Sequence, residues 1–246
     1  MIMESIHQEV WHFFRTQAWK LIGLTLPVVV VISLWLSYLT YAGWDNWTYV
    51  QGWLDYIKMH PGDLAHAPAF HVNLAETMPS LIAQLLFDVL AVLGIDRLVR
   101  GTEQSTLKLW QLALERGPRL FVAQLLSGLL VILGLMAFLI PGAYLSGRYL
   151  LVSVEAPLSD KSPLQSMADS WSHTQGRAWV LLGGYMLWSV VRGLGTLAVS
   201  GLGYAMSEHS VGGMLMMTLT HAVNMWLGIP VLIYLYRARL TALSAG

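Results

Sequence analysis

Four side chains of metal-binding type fall within one short stretch in the first third of the chain. They are His60, Asp63, His66 and His71. Imidazole and carboxylate groups are ligands that zinc accepts in proteins. The stretch contains no HExxH pattern, the chain has no cysteine, and the neighbouring prolines favour an irregular loop. We therefore interpret it as a solvated polar loop with metal binding as the alternative, and we predict no metal and no cofactor.

A second group has the residue types of a hydrolytic triad, namely Asp169, Ser170 and His173. Ser170 and His173 are three positions apart, a spacing that puts both on one face of a helix. The G-x-S-x-G pattern of a nucleophile elbow is absent from the sequence. The ordinary interpretation is a helix end with solvated polar residues. We therefore predict no catalytic residue and expect that the chain is not an enzyme.

Polar groups also interrupt the apolar stretches, at Asp88, Arg148, Arg192, His221 and Asn224. A charge at the centre of a bilayer costs roughly 2.5–3.5 kcal/mol on insertion scales, so it usually has a partner or faces a watery cavity. At 1.5 Å per residue, Asp88 and Arg148 lie at similar depths, about 13 and 10 Å from the inner edge. We predict that they approach each other.

The other three polar groups lie about 20–24 Å from the same edge. Either Arg192 joins His221 and Asn224 in one cluster, or its long side chain reaches outward toward Glu208. For both sets we favour a role in helix packing. A transport or proton pathway is the alternative, and catalysis comes last.

The composition favours a membrane as the surroundings of these groups. Of the 246 residues, 56% are hydrophobic and only 11% are charged, whereas about 25% are charged in a typical soluble domain. The formal net charge is zero, so no nucleic-acid partner is indicated. Because the chain lacks cysteine, disulfides and thiolate chemistry are excluded.

Six apolar stretches approach the length of about 20 residues that a membrane-spanning helix needs. They are Trp19–Ala42, Met78–Leu98, Arg119–Ile140, Pro141–Pro157, Ala178–Gly203 and Val211–Tyr236. The predicted fold is an all-α helical bundle of six spans in three hairpins, forming a single membrane domain over residues 1–246. The Pro141-Gly142 pair is interpreted as the turn between the third and fourth spans, and the first span as an uncleaved anchor.

The distribution of basic residues predicts the orientation. With the N-terminus in the cytoplasm, eleven of the 14 Lys and Arg residues lie on that side, two lie inside spans and only Lys58 is outside. Positive charge favours the cytoplasmic side. The prediction is a bacterial cytoplasmic (inner) membrane location with both termini in the cytoplasm.

Amphipathic helices are predicted before three of the spans, lying in the interface plane with their apolar faces toward the acyl chains. The first carries Ile6, Val10 and Phe13 on one stripe, and the second ends at Gly117-Pro118. The third has Ser162 as its N-cap with Pro163 at its first position, and it ends at Gly176.

The stretches RTQAWKLIG, from Arg15, and HTQGRAWVLLG, from His173, share most of their residue types. One interpretation is a threefold repeat over residues 1–98, 99–157 and 158–246, with ERGPRLFVAQLLSG as the middle copy. The other is that each turn from the interface into the membrane selects these residues independently.

Several stretches together carry a family resemblance, namely HFFRTQ, IPGAYLSGRYLLVSVEAP, SWSHTQGRAW and LIYLYRARL. They resemble the YciC family of bacterial inner-membrane proteins and are similar to the membrane domain of some bacterial glycerophosphodiester phosphodiesterases. The shared pattern falls on Pro141, Gly142, Arg148, Glu155, Ser170, Trp171 and Gly176. The resemblance implies a six-helix inner-membrane protein and carries over no catalytic residue.

The predicted function is a non-enzymatic envelope protein that acts as a scaffold or partner subunit. Its partners would be the lipid bilayer and other membrane proteins, contacted through the cytoplasmic amphipathic helices. The alternative is a small transporter or lipid-handling channel, in which the intramembrane Asp, Arg and His residues line a cavity. An intramembrane or membrane-face hydrolase is a third hypothesis.

Overall fold

A computed structural model describes residues 2–42, 46–61, 63, 73–206 and 211–244. Over these residues the regular secondary structure is entirely helical. The helices, in chain order, are α1 (Ile2–Tyr41), α2 (Asn46–Met59), α3 (Leu74–Arg100), α4 (Thr106–Ala137), α5 (Leu139–Tyr149), α6 (Val152–Leu158), α7 (Pro163–His173), α8 (Ala178–Met206), α9 (Val211–Trp226) and α10 (Ile229–Leu243).

Five segments of this part of the chain are long and apolar enough to cross a membrane. They are Ile6–Tyr41, Leu74–Arg100, Thr106–Ala137, Ala178–Leu202 and Gly212–Leu243. All five overlap predicted spans, which confirms the all-helical membrane class. The predicted fourth span, Pro141–Pro157, is not among them because α5 and α6 are separate short helices. The count of six spans and three hairpins is therefore not confirmed.

The chain packs as two compact units. The first contains residues 1–26, 85–197 and 226–246, and the second contains residues 27–84 and 198–225. In the first unit, α10 contributes much of the core, with Ile229, Ile233, Tyr234 and Tyr236 fully enclosed. In the second, Trp35 Nε1 donates to the Ala75 carbonyl at 2.8 Å and Thr218 Oγ1 donates to Ser37 Oγ at 3.1 Å.

The predicted elbow at the start of the first span does not exist. Helix α1 runs without a break for 40 residues, about 60 Å at 1.5 Å per residue. Its stripe of Ile6, Val10 and Phe13 is at most 7% exposed, so the prediction that this stripe faces acyl chains is wrong. The stripe packs inside the protein instead.

The matching junction before α8 does turn, and one residue explains the difference. Gly176 has φ +72, a left-handed conformation that glycine adopts without the steric penalty of a Cβ. The corresponding position in the first copy is Ala18, and alanine is the strongest helix former. Similar stretches therefore give a continuous helix in one place and a helix–turn–helix in the other.

The predicted stop at Gly117-Pro118 is also wrong, since α4 continues through both residues. Proline removes one backbone hydrogen bond from a helix, a loss that membrane helices tolerate when neighbouring groups satisfy the freed carbonyl. Helix α4 ends instead at Ala137, and the next residue, Phe138, has an extended backbone (φ −162, ψ 149).

The turn between α4 and α5 is therefore at Phe138 and not at Pro141-Gly142 as predicted. Pro141 and Gly142 lie in the first turns of α5, where proline is tolerated because the early N–H groups have no helical partner. Gly142 allows the close approach of the hairpin, because a Cβ there would lie 2.5 Å from the Leu135 backbone nitrogen.

Helix α7 begins at Pro163 as predicted, and it ends at His173, slightly before the predicted end at Gly176. Ser162 Oγ accepts from the Gln165 N–H while Gln165 Oε1 accepts from the Ser162 N–H, forming a capping box, and Pro163 opens the helix. Behind it, Gly147 of α5 allows close contact with α8, since a Cβ there would lie 2.6 Å from the Ala178 carbonyl oxygen.

We predict that Gly176→Ala destabilises the protein by about 1–2 kcal/mol, the cost of a left-handed conformation at a residue with a Cβ. The measurement is the free energy of unfolding in mixed detergent micelles. Gly183→Ala is the matched control, because a Cβ at this helical position meets open space, and it should stabilise by about 0.5–1 kcal/mol. Equal effects of the two changes would contradict the role given to Gly176.

Candidate functional site

The centre of the candidate site is the carboxylate of Glu155, on the seven-residue helix α6. Glu155 is only 2% exposed. His173 Nδ1, on α7, donates to Glu155 Oε1 at 2.7 Å, because an ionised carboxylate can only accept. Arg239 Nε, on α10, lies 3.0 Å from the same oxygen, an ion-pair distance without hydrogen-bond geometry. One buried carboxylate thus joins three helices.

The second centre is Arg148, near the end of α5, with 3% of its surface exposed. Its guanidinium lies 4.0 Å from the Trp171 ring centroid and 5.8 Å from that of Tyr144. A cation over an aromatic face in a desolvated place is stabilised by about 2 kcal/mol. The charge of Arg148 is thus held against the α7 indole.

The backbone of Arg148 is also tied to α7. Its carbonyl oxygen accepts from Ser170 Oγ at 2.8 Å and from Thr174 Oγ1 at 3.0 Å, and both hydroxyls are fully buried. The interpretation of Ser170 as a solvated residue at a helix end is therefore wrong. Its hydroxyl hydrogen is engaged by a carbonyl, while His173 contacts Glu155, so the geometry does not pair this serine with this histidine.

Further hydrogen bonds and ion pairs connect the neighbouring helices. Arg116 donates to the Pro157 carbonyl at 2.6 Å and to Asp160 at 2.7 Å, which fixes the end of α6 against α4. The side chain of Asp160 is 76% exposed, so the charge pair itself contributes little. On the other side, Arg237 Nη1 lies 3.4 Å from Glu9 of α1, and Tyr236 donates to Asp96 of α3 at 2.8 Å.

Most residues of the sequence pattern meet in this part of the fold. Arg148, Glu155, Ser170 and Trp171 form the two centres, and Gly176 supplies the turn that follows α7. Sequence reasoning missed Arg239 as the partner of Glu155, and it did not pair His173 with that carboxylate. The available signal was the Arg-x-Arg pair at 237–239, which follows an apolar stretch.

The predicted intramembrane contacts stay predictions. Asp88 lies on α3 half-buried, and it has an interaction of its own, so its approach to Arg148 is not established. Arg192 belongs to the first unit, whereas His221 and Asn224 belong to the second. Within the second unit, Asn224 Nδ2 donates to Ser200 Oγ at 3.0 Å.

The predicted outer loop is only partly described. Tyr56 donates to Asp63 Oδ2 at 3.3 Å, and the His60 ring stacks on Tyr56 with centroids 4.5 Å apart. His66 and His71 lie outside the described residues. Among the residues that are described, no group of three or more His, Asp or Glu side chains is arranged to hold a metal ion.

Comparison with known proteins identifies the family. The model of an uncharacterised protein family, UPF0259, matches residues 65–241, which is 177 of the 246 residues. The chain belongs to this family. A UPF0259 membrane protein from Photorhabdus laumondii subsp. laumondii is 28% identical over 162 residues, which cover 64% of this chain and 61% of that protein. No solved structure matches the chain significantly.

UPF0259 membership supports a membrane location, because the relative is named a membrane protein. The matched range contains the Glu155 and Arg148 centres and Arg239. The narrower resemblance to the YciC family is not confirmed by these matches. The residues that match the family model therefore include both the Glu155 and the Arg148 centres.

We predict that Arg148→Lys lowers the free energy of unfolding by about 1–2 kcal/mol. Lysine keeps the charge but lacks the planar group that lies on Trp171, and its ammonium is more strongly hydrated. The measurement is unfolding in mixed detergent micelles. Arg177→Lys, at an exposed position after α7, is the control and should change stability by less than about 0.5 kcal/mol. An unchanged free energy of unfolding in Arg148→Lys would show that the contact with Trp171 does not contribute to stability.

Proposed function

We propose that this UPF0259 protein is a six-span protein of the bacterial inner membrane that acts as a non-enzymatic scaffold or partner subunit. The observation that carries the proposal is the placement of three charged side chains, of which Glu155 and Arg148 are buried and Arg239 is half-buried. Glu155, Arg148 and Arg239 contact other helices of the same chain. Charges that join helices suit a fixed framework, whereas a conducting path needs polar groups that face water.

The remaining span, which is the fourth along the chain, would be formed by α5 and α6 together. They are separated only by Leu150 and Leu151, and the 20 residues from 139 to 158 extend about 30 Å as a helix, the thickness of the hydrocarbon core. Six crossings in three hairpins put both termini on one side. The excess of Lys and Arg in the segments on that side supports a cytoplasmic location.

Contact with a partner would use the cytoplasmic helices. Since Ile6, Val10 and Phe13 are buried, the surface available consists of other apolar side chains on α1, α4 and α7. Near the ends of these helices they include Trp11 (53%), Leu107 (69%), Leu114 (60%) and Leu164 (66%). Apolar side chains exposed at a polar boundary favour binding to lipid or to another membrane protein.

The absence of cysteine from the sequence allows a direct test with single introduced cysteines. For a scaffold we expect Ser200→Cys, next to Asn224, to react with a water-soluble maleimide roughly tenfold or more slower than Lys161→Cys, because thiolate formation needs water. Lys58→Cys and Lys161→Cys are the outer and inner controls, with side chains 72% and 52% exposed. Rapid reaction at residue 200 would favour the transporter alternative instead.

Site-specific photo-crosslinking in membranes tests the partner. A crosslinker at Leu114 or Leu164 should give a discrete protein adduct, while one at Lys58 on the opposite side should not. Adducts with lipid alone at all three positions would contradict the scaffold proposal.

A further inference from the structure

A groove of about 440 Å³ lies in the first unit between α1, α3 and the start of α4. This volume is within the range of about 300–1,000 Å³ that ligand pockets occupy. Its polar lining consists of Lys20, Arg97 and Thr106, and its apolar lining includes Leu21, Leu24 and Leu98. The groove is separate from the Glu155 and Arg148 centres.

The groove carries two cations that the described part of the chain does not neutralise. Neither Lys20 nor Arg97 forms an ion pair with a described residue, and no acidic side chain lines the groove. The neighbouring Asp96 instead contacts Arg100 at 2.7 Å and Tyr236 at 2.8 Å. A pair of basic groups in a half-enclosed place attracts an anion.

The position of Lys20 and Arg97 indicates which kind of anion the groove would bind. Lys20 precedes the apolar run of α1, and Arg97 follows the apolar run of α3, so both lie where a span meets the polar boundary. Trp19, 67% exposed, has the amphipathic ring that favours this boundary. The Lys20 ammonium lies 5.5 Å from the Trp19 ring centroid.

Two glycines give the groove an open apolar slot. A Cβ at Gly94 would lie 2.8 Å from Leu21 and 2.9 Å from Leu24, so α1 and α3 touch there and form the floor. A Cβ at Gly23 would meet nothing within 4 Å, which leaves space above the floor. The two cations at the boundary suit a phosphate group, and the apolar slot beside them suits the start of an acyl chain.

We propose that this groove binds the headgroup of an anionic phospholipid, with the phosphate between Lys20 and Arg97 and an acyl chain along Leu21, Leu24 and Leu98. Basic pockets between membrane helices bind such headgroups in the same way. The site does not depend on the scaffold proposal, since a transporter would present the same groove.

The test is native mass spectrometry of the delipidated full chain in non-ionic detergent, titrated with phosphatidylglycerol or phosphatidylcholine. The wild-type protein should bind phosphatidylglycerol more tightly than phosphatidylcholine. Lys20→Gln with Arg97→Gln should weaken this binding roughly 25-fold, about fivefold per cation. Arg15→Gln with Lys108→Gln removes two exposed cations from the same region outside the groove, and it should leave binding within about twofold.

A second pair of variants tests the slot without changing charge. Gly23→Leu should fill the open space and reduce phosphatidylglycerol binding, whereas Gly183→Leu, equally unobstructed on α8, should not. Both variants should unfold at temperatures close to that of wild type.

Three results would overturn the proposal. The first is equal binding losses in the two charge pairs, which would indicate diffuse surface attraction. The second is unchanged binding in Gly23→Leu. The third is displacement of phosphatidylglycerol by inorganic phosphate at concentrations that match the lipid, which would make the site one for free anions.

Discussion

The buried carboxylate of Glu155 is the constraint around which this part of the protein is arranged. A charge removed from water is costly unless a partner of opposite charge and hydrogen bonds replace the lost hydration. His173 and Arg239 supply these from α7 and α10. Because α6 has only seven residues, it is too short to be stable as an isolated helix. Its position therefore depends on these contacts.

The Arg148 centre reinforces the same arrangement through a second set of contacts with α7. Trp171 covers the guanidinium, and Ser170 and Thr174 bind the carbonyl oxygen of the same residue. Helix α7 thus contacts both α5 and α6. The arginine, the glutamate, the Ser-Trp pair and the glycine each complete a contact or turn of one assembly.

Local chemistry made part of this fold predictable. Five of the six apolar stretches predicted as spans overlap helical segments long enough to cross a membrane. Ser162 and Pro163 predicted the start of α7, because capping is decided by neighbouring residues, and Gly176 predicted the turn that follows the helix. The continuity of α1 was also encoded locally, in Ala18, although similarity to the later junction concealed it. Turn signals failed at Gly117-Pro118 and at Pro141-Gly142, where packing overrides the usual preferences of these residues.

The partners of the charges were not predictable from spacing. Arg239 is 84 residues from Glu155 in the chain, and only the packing of α10 against α6 brings them together. Depth estimates place groups along the membrane normal but give no information on which helices are neighbours. Arg148 was accordingly expected to meet Asp88, whereas its established contacts are with the aromatic rings of Tyr144 and Trp171.

The most direct measurement is a double-mutant cycle on Glu155→Gln and Arg239→Gln, with free energies of unfolding measured in mixed detergent micelles. Arg239→Gln leaves the buried Glu155 with His173 alone, and Glu155→Gln leaves Arg239 without its carboxylate, so each single change should cost about 1–3 kcal/mol. The double change should cost less than the sum by about 1–3 kcal/mol. The exposed pair of Glu115 and Arg119, 3.5 Å apart, should give a coupling below about 0.5 kcal/mol. Additive losses at Glu155 and Arg239 would contradict the central role of this carboxylate.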